Sequence, residues 1–250
     1  MGTLPDFEDK DLRGGIIAAL PGELKPLVRG WQASTLKDGT RLWIHVAPTG
    51  DEWIAACSGM GEDAARRAFV GAGSQGPLDV VLSVGWAGAV NEGAKPGEKY
   101  VLSVIIDAST GERFQLTSGE RRLTVVTTSR VADLNEKARL RATYPGAVVV
   151  DMEAATIARL AQMRGIPMAC IKGVSDGVEA ELPDLNPFIS PLGQLRLLPF
   201  LAHLAVRPRY WKAIAELNRN SSKATQAMCD LILEFMEENN VDKLNRTGSP

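Results

Sequence analysis

Residues 148–176, VVVDMEAATIARLAQMRGIPMACIKGVSD, read as strand, helix and strand in succession. Ala147 to Val150 is a short apolar run, of the kind that forms a strand covered on both faces. It leads into a helix from Met152 to Arg164. Pro167 to Gly173 is a second strand, ending at Val174-Ser-Asp176. Strands alternating with helices in this way indicate a mainly parallel sheet.

The same alternation extends toward the N-terminus. Gly14 to Leu20 (GGIIAAL) is apolar and bounded by glycines and Pro21, which suits a buried strand. Pro21-Gly22 breaks it, and a helix is expected from Glu23 to Trp31. Arg41 to Val46 and Trp53 to Cys57 read as strands. Ser58-Gly-Met-Gly61 then precedes a helix, Glu62 to Ala72, with acids in its first turn. Asp79 to Val84 is the most apolar strand, and it is expected to end in a loop, Gly85-Trp-Ala-Gly88. Further strands are expected at Lys99 to Ile106 and Leu123 to Thr127. Pro183 to Pro208 is proline-broken and leucine-rich. Ser221 to Glu237 repeats apolar residues at three- and four-residue steps, a closing packing helix.

These elements predict an α/β fold: one three-layer domain over residues 14–240, with a mixed, mostly parallel central sheet flanked by helices. Residues 1–13 and 241–250 are expected to be flexible ends. In such sheets ligands bind beyond the carboxyl ends of the strands, which would gather Glu23, Ser58 to Gly61, Gly85 to Gly88 and Ser175-Asp176 at one edge.

Composition narrows the partners. The chain has 250 residues, 45% hydrophobic and 23% charged, with 28 Lys and Arg against 30 Asp and Glu. That balance gives no nucleic-acid footprint. No stretch reaches the roughly 20 apolar residues of a transmembrane span, and no secretory signal core is seen. Cys57, Cys170 and Cys229 are dispersed, and His45 and His203 are the only histidines. No metal spacing results, so no metal is expected. A reduced, cytoplasmic setting is the simplest expectation.

Several residues could carry chemistry, and each has a plainer reading beside it. Glu153 could chelate two vicinal hydroxyls, with Met152 packed on the sugar face; alternatively, Asp151 and Glu153 only complement a helix start. Asp176, supported by Ser175, could donate a proton to a base nitrogen; Ser-Asp-Gly is also an ordinary turn. Glu23 could orient water, or be a solvated first-turn acid. Ser58, Gly59 and Gly61, with Gly85 and Trp86, could form a nucleophile or anion loop from free backbone amides; glycine turns are common.

Taken in order, GIIAALPGEL, SGMG, SVGWAGAV and the Met-Glu…Ser-Asp stretch resemble the purine nucleoside phosphorylase and methylthioadenosine/S-adenosylhomocysteine nucleosidase superfamily, over roughly Gly14 to Asp176. The resemblance implies an enzyme cleaving the ribose–base bond of a nucleoside. It implies Glu153 and Met152 at the ribose, Asp176 as general acid with Ser175 in support, and Glu23 on the water. It implies no cofactor, with inorganic phosphate a co-substrate if the enzyme is a phosphorylase. It also implies a homo-oligomer, a dimer foremost.

Two departures bear on the reaction. Trp86 stands where nucleosidases commonly have Ser. Leu82-Ser83-Val84 lacks the Arg that phosphorylases often place there, which favours water, though Arg66 or Arg113 could substitute. The segment from Leu182 to Trp211 is similar to the tail of divergent bacterial members, including hopanoid-associated ones acting on a nucleoside bearing a lipid. It would suit an apolar 5′ substituent, or be an extra packing helix or dimer contact. Three functions stay open: a hydrolase for methylthioadenosine- or S-adenosylhomocysteine-like nucleosides, a phosphorylase such as one for adenosylhopane, and a nucleoside-binding protein without turnover.

Overall fold

The computed structural model describes residues 11–48, 50–116 and 123–238. The expected flexible ends lie largely outside these residues. Within them the expected boundary is corrected: Leu12 is buried, and Arg13 opens the first strand.

The elements run β1 (Arg13–Ala18), α1 (Pro21–Leu24), β2 (Gln32–Thr35), β3 (Arg41–Val46), β4 (Glu52–Cys57), α2 (Glu62–Gly73), β5 (Val80–Ala89), β6 (Lys99–Leu102), β7 (Val104–Asp107), β8 (Arg113–Gln115), β9 (Thr124–Thr127), α3 (Leu134–Thr143), β10 (Ala147–Asp151), α4 (Ala154–Met163), β11 (Met168–Asp176), α5 (Leu197–Ala205) and α6 (Trp211–Glu238). Short 3-10 turns at Asn186–Phe188 and Pro208–Tyr210 flank α5.

One mixed sheet takes all the strands. β4, β1, β5 and β11 lie parallel, as do β10, β9 and β7. β2, β3, β6 and β8 join antiparallel. The buried strands carry continuous apolar runs because helices cover both faces. Ile17, Leu42, Ile54 and Val81 pack with Phe69 of α2 and Ile157 of α4 on one side. Ile16, Trp53, Leu82 and Ile171 pack with Met228, Ile232 and Phe235 of α6 on the other.

Four expectations are corrected. The helix expected from Glu23 to Trp31 is only one turn, Pro21–Leu24; Pro26 has no N–H to continue the ladder to Gly22. Gly85-Trp-Ala-Gly88 is not a loop but the second half of β5, paired along β11. The strand expected from Lys99 to Ile106 breaks at Ser103, where its first part pairs β11 and its second pairs β9. The closing helix starts ten residues earlier, at Trp211.

Candidate active site

β5 is the fork of the sheet. Its first half, Val80 to Ser83, pairs with β1, while Gly88 and Ala89 pair with β10 instead. β11 follows it on the other side throughout. The chain ends of β1, β10 and β11 therefore open around one gap above the fork. A cavity of about 340 Å³ fills it, and its wall includes Glu23, Trp86, Met152, Glu153, Ser175 and Asp176. The rest of the lining is mostly apolar: Leu182, Leu185, Leu195, Phe200, Ile214 and Leu217, with Asn218 and Ser221 of α6 beside them.

Glu23 is held by backbone. One carboxylate oxygen accepts the amides of Ala19 at 2.9 Å and Leu20 at 2.7 Å; the other accepts that of Trp86 at 2.8 Å. The side chain is not a solvated first-turn acid but is 4% exposed. Burial pushes its carboxyl above the ordinary range, against the lowering pull of the Leu20 and Trp86 amides and of Lys172. Gly85 leaves room for it, since a Cβ there would lie 2.9 Å from the carboxylate.

The two acids of Asp151-Met-Glu153 divide the two readings open in the sequence. Asp151 serves the helix start: it accepts the Ala154 amide at 2.9 Å and the Thr127 hydroxyl at 2.7 Å. It also pairs with the buried Lys172 ammonium at 2.8 Å. Glu153 is the N-cap residue of α4, but its side chain makes no capping hydrogen bond. One of its oxygens accepts the Gly61 amide at 2.7 Å, and the other lies 3.3 Å from the Met152 amide. Burial raises its carboxyl well above the usual range, reinforced by the Asp151 charge and opposed by Lys172 and the Gly61 amide.

Asp176 closes β11. The Ser175 hydroxyl donates to one carboxylate oxygen at 2.6 Å. The other takes a close ion pair from Lys137, whose ammonium also donates to the Gly177 carbonyl at 2.8 Å. Lys137 is 2% exposed, and no reading of the sequence selected it. Nothing in the sequence signals it: Lys137 and Leu140 are the buried residues of α3, so no apolar stripe marks its inward face. Gly88 leaves space for this pair, as a Cβ there would sit 3.0 Å from the Asp176 carboxylate.

The expected anion loop is arranged otherwise. The amide of Gly59 donates to Ala19 at 3.0 Å, that of Met60 to Gly193 at 2.7 Å, and that of Gly61 to Glu153. These three amides are therefore not free for an anion. The Ser58 hydroxyl faces Arg67 at 2.9 Å and Thr40 at 3.2 Å. What the loop does is orient Glu153. Trp86 gives its amide to Glu23, and its indole N–H donates to Thr225 at 2.8 Å. Its ring is thus tethered to α6 and forms wall.

Neither Arg66 nor Arg113 lines the cavity; Arg66 pairs with Glu62 at 2.9 Å on the outside of α2. Arg130, which sequence reasoning passed over, does line it. All three cysteines are buried, and burial raises the Cys57 and Cys170 thiols to about 12. Among the described residues no cluster of three or more His, Cys, Asp or Glu could hold a metal, and no helix is long and apolar enough to cross a membrane.

Comparison with known proteins adds a family. Residues 13–122 and 118–189 match the family model described as the phosphorylase superfamily. No curated protein matches the chain. Among solved structures, 5'-methylthioadenosine/S-adenosylhomocysteine nucleosidase from Helicobacter pylori, with butyl-thio-DADMe-Immucillin-A, superposes with a TM-score of 0.69 at 15% identity, over 92% of this chain and 100% of that one. S-adenosylhomocysteine nucleosidase from Streptococcus pyogenes, with 5-methylthiotubericidin, gives 0.69 at 16%, over 93% and 99%. Futalosine hydrolase of Helicobacter pylori gives 0.68 at 15%, over 91% and 98%. At such identities the likeness is one of fold.

Proposed function

The chain belongs to the phosphorylase superfamily, and from that premise we propose that it is an enzyme that hydrolyses the N-glycosidic bond of a purine nucleoside, releasing the free base. One observation carries the reading: three acids from the ends of three strands, Glu23, Glu153 and Asp176, line one cavity.

Each acid has a distinct task. A carboxylate offers about four acceptor positions; three of those on Glu23 are filled by amides. The fourth holds a water against the sugar. The two oxygens of Glu153 accept the vicinal ribose hydroxyls, and their charge favours the cationic sugar that develops as the bond breaks. Met152 lies against the sugar face. Asp176 passes a proton to the purine N7, with Ser175 and Lys137 fixing its orientation. In the balanced step the water oxygen bonds to C1′ and gives a proton to Glu23. The C1′–N9 pair leaves with the base, which takes a proton through Asp176 from the Lys137 ammonium paired with it, and Lys137 recovers its proton from solvent.

The apolar wall supports a nucleoside with an apolar 5′ group, as in methylthioadenosine. The reading asks for no metal or organic cofactor, and it places the enzyme in the cytoplasm as a homo-oligomer. Arg130 at the cavity wall favours a second reading, phosphorolysis, including of a nucleoside whose 5′ group is a lipid. A third, binding without turnover, rests on Trp86.

A panel of nucleosides with different 5′ groups, incubated with and without inorganic phosphate, separates the three. Adenine release in phosphate-free buffer is the expected result. Release only with phosphate, together with a ribose 1-phosphate product, would establish the second reading. Tight ligand binding with no released base at all would establish the third.

A further inference from the structure

Helix α5 is apolar on faces it does not bury. Its sequence, LLPFLAHLA, has one polar residue, His203. Phe200 and Leu204, four apart, turn inward, and Phe200 meets Phe188 edge-on with ring centres 5.5 Å apart. The outer face carries Leu197, Leu198 and Leu201, which are 56%, 80% and 49% exposed. Val206 at 73% and Trp211 at 56% extend it past the helix end. A helix apolar all round belongs in a buried setting, and a contiguous apolar surface marks a contact site.

Charge around this face identifies what covers it. Residues 185–215 contain no Asp or Glu, while Arg196, Arg207, Arg209 and Lys212 flank the helix at both ends. Arg207 bonds to His203 at 3.2 Å, and Arg209 stacks over the Tyr210 ring at 4.6 Å. Among the described residues only Lys212 of the four reaches a carboxylate, Glu216 at 4.0 Å. The patch is positive on a chain whose formal net charge is -2. Leucines, an exposed indole and flanking arginines are the composition of a helix lying in a bilayer interface. At nine residues, about 13 Å, α5 is too short to cross a hydrocarbon core of about 30 Å and lies along the surface instead.

We propose that the outer face of α5, with Val206 and Trp211, docks on the surface of an anionic lipid bilayer, apolar side chains entering the interface and the four cations meeting lipid phosphates. A second copy of this chain fits less well. A twofold contact through α5 would bring the same four cations of both copies together. Docking places Phe200, on the inner face of the same helix, between membrane and cavity. The proposal does not depend on which reaction the cavity performs.

The full chain is mixed with phosphatidylcholine vesicles, or with vesicles containing phosphatidylglycerol as well, and sedimented. Expected is co-sedimentation with the anionic vesicles, weakened by salt, and a blue shift of tryptophan emission that Trp211→Phe removes. Leu198→Glu combined with Leu201→Glu lowers partitioning at least about tenfold. Arg209→Glu with Lys212→Glu lowers it about tenfold. Both pairs are exposed, so unchanged melting temperatures and unchanged base release in solution accompany the loss. Absence of binding to anionic vesicles overturns the proposal. So does binding that survives the Leu198 and Leu201 pair, or a dimer that this pair splits without vesicle binding in the parent, which makes α5 a subunit contact.

Discussion

On one side of the cavity Glu23, Glu153 and Asp176 each accept two or more hydrogen bonds from backbone amides or neighbouring side chains. In the rest of the lining Leu182, Leu185, Leu195, Phe200, Ile214 and Leu217 present only carbon, with Asn218 and Ser221 of α6 beside them. The first wall sits on strand ends locked into the sheet. The second comes from the segment after β11 and from α6, packed on the sheet by side chains. Preorganised polar groups suit a transition state, whose charge needs fixed partners. A carbon wall discriminates by shape and area, at a cost of only about ten- to two-hundredfold per methylene. On the proposed reading the polar wall serves the reaction and the carbon wall the choice of substrate.

The largest test of that division is Asp176→Asn. If the polar wall carries the chemistry, base release falls at least about a hundredfold, the scale of general acid catalysis. Near-normal turnover would remove Asp176 from the reaction.

Lys137→Met is expected to cost about tenfold in kcat with KM within about twofold, as a residue that acts by holding Asp176 would. Acting through Asp176, it adds nothing to that loss: the double variant with Asp176→Asn is no slower than Asp176→Asn alone. Additive losses would show an independent role.

Phe200→Ala probes the other wall. For a nucleoside with a long apolar 5′ group, KM rises about tenfold, while a 5′-hydroxyl nucleoside changes by less than about twofold. Equal effects on both would mean that the carbon wall does not read the 5′ position.

How far these walls were legible from the sequence follows from their physics. The buried strands were readable because both faces are covered, so GGIIAA and VVLSV leave a continuous apolar trace. The three acids were readable only as a set in order, since singly each had an ordinary alternative. The glycines of β5 misled: Gly85 and Gly88 punctuate no turn but clear space for the Glu23 and Asp176 carboxylates. β2 was invisible because all four of its residues, QAST, are exposed. α3 was invisible because Leu140 and Lys137 are its buried residues, so no apolar stripe forms. A buried lysine reads as a surface residue until its partner, 39 positions away, is placed beside it.

The smallest expected effect concerns stability, and it tests whether the polar wall is held at a cost. Glu153 has a folded-state pKa raised above its unfolded value, chiefly by burial. The folded protein therefore binds more protons than the unfolded chain in the window above the ordinary glutamate range. Whatever stability the protonated carboxyl provides is present at pH 4 and is lost as pH rises through that window. Glu153→Gln keeps an acceptor for the Gly61 amide and removes the titration. Its melting temperature should match the parent near pH 4 and exceed it near pH 8, the gap widening as the parent's carboxyl ionises. Glu23 is raised in the same direction and its charge acts on Glu153, so the difference reports Glu153 together with its interaction with Glu23. A gap that stays constant or narrows toward pH 8 would mean that Lys172 and the Gly61 amide already compensate the buried charge. The polar wall would then cost the fold no more than the carbon wall does.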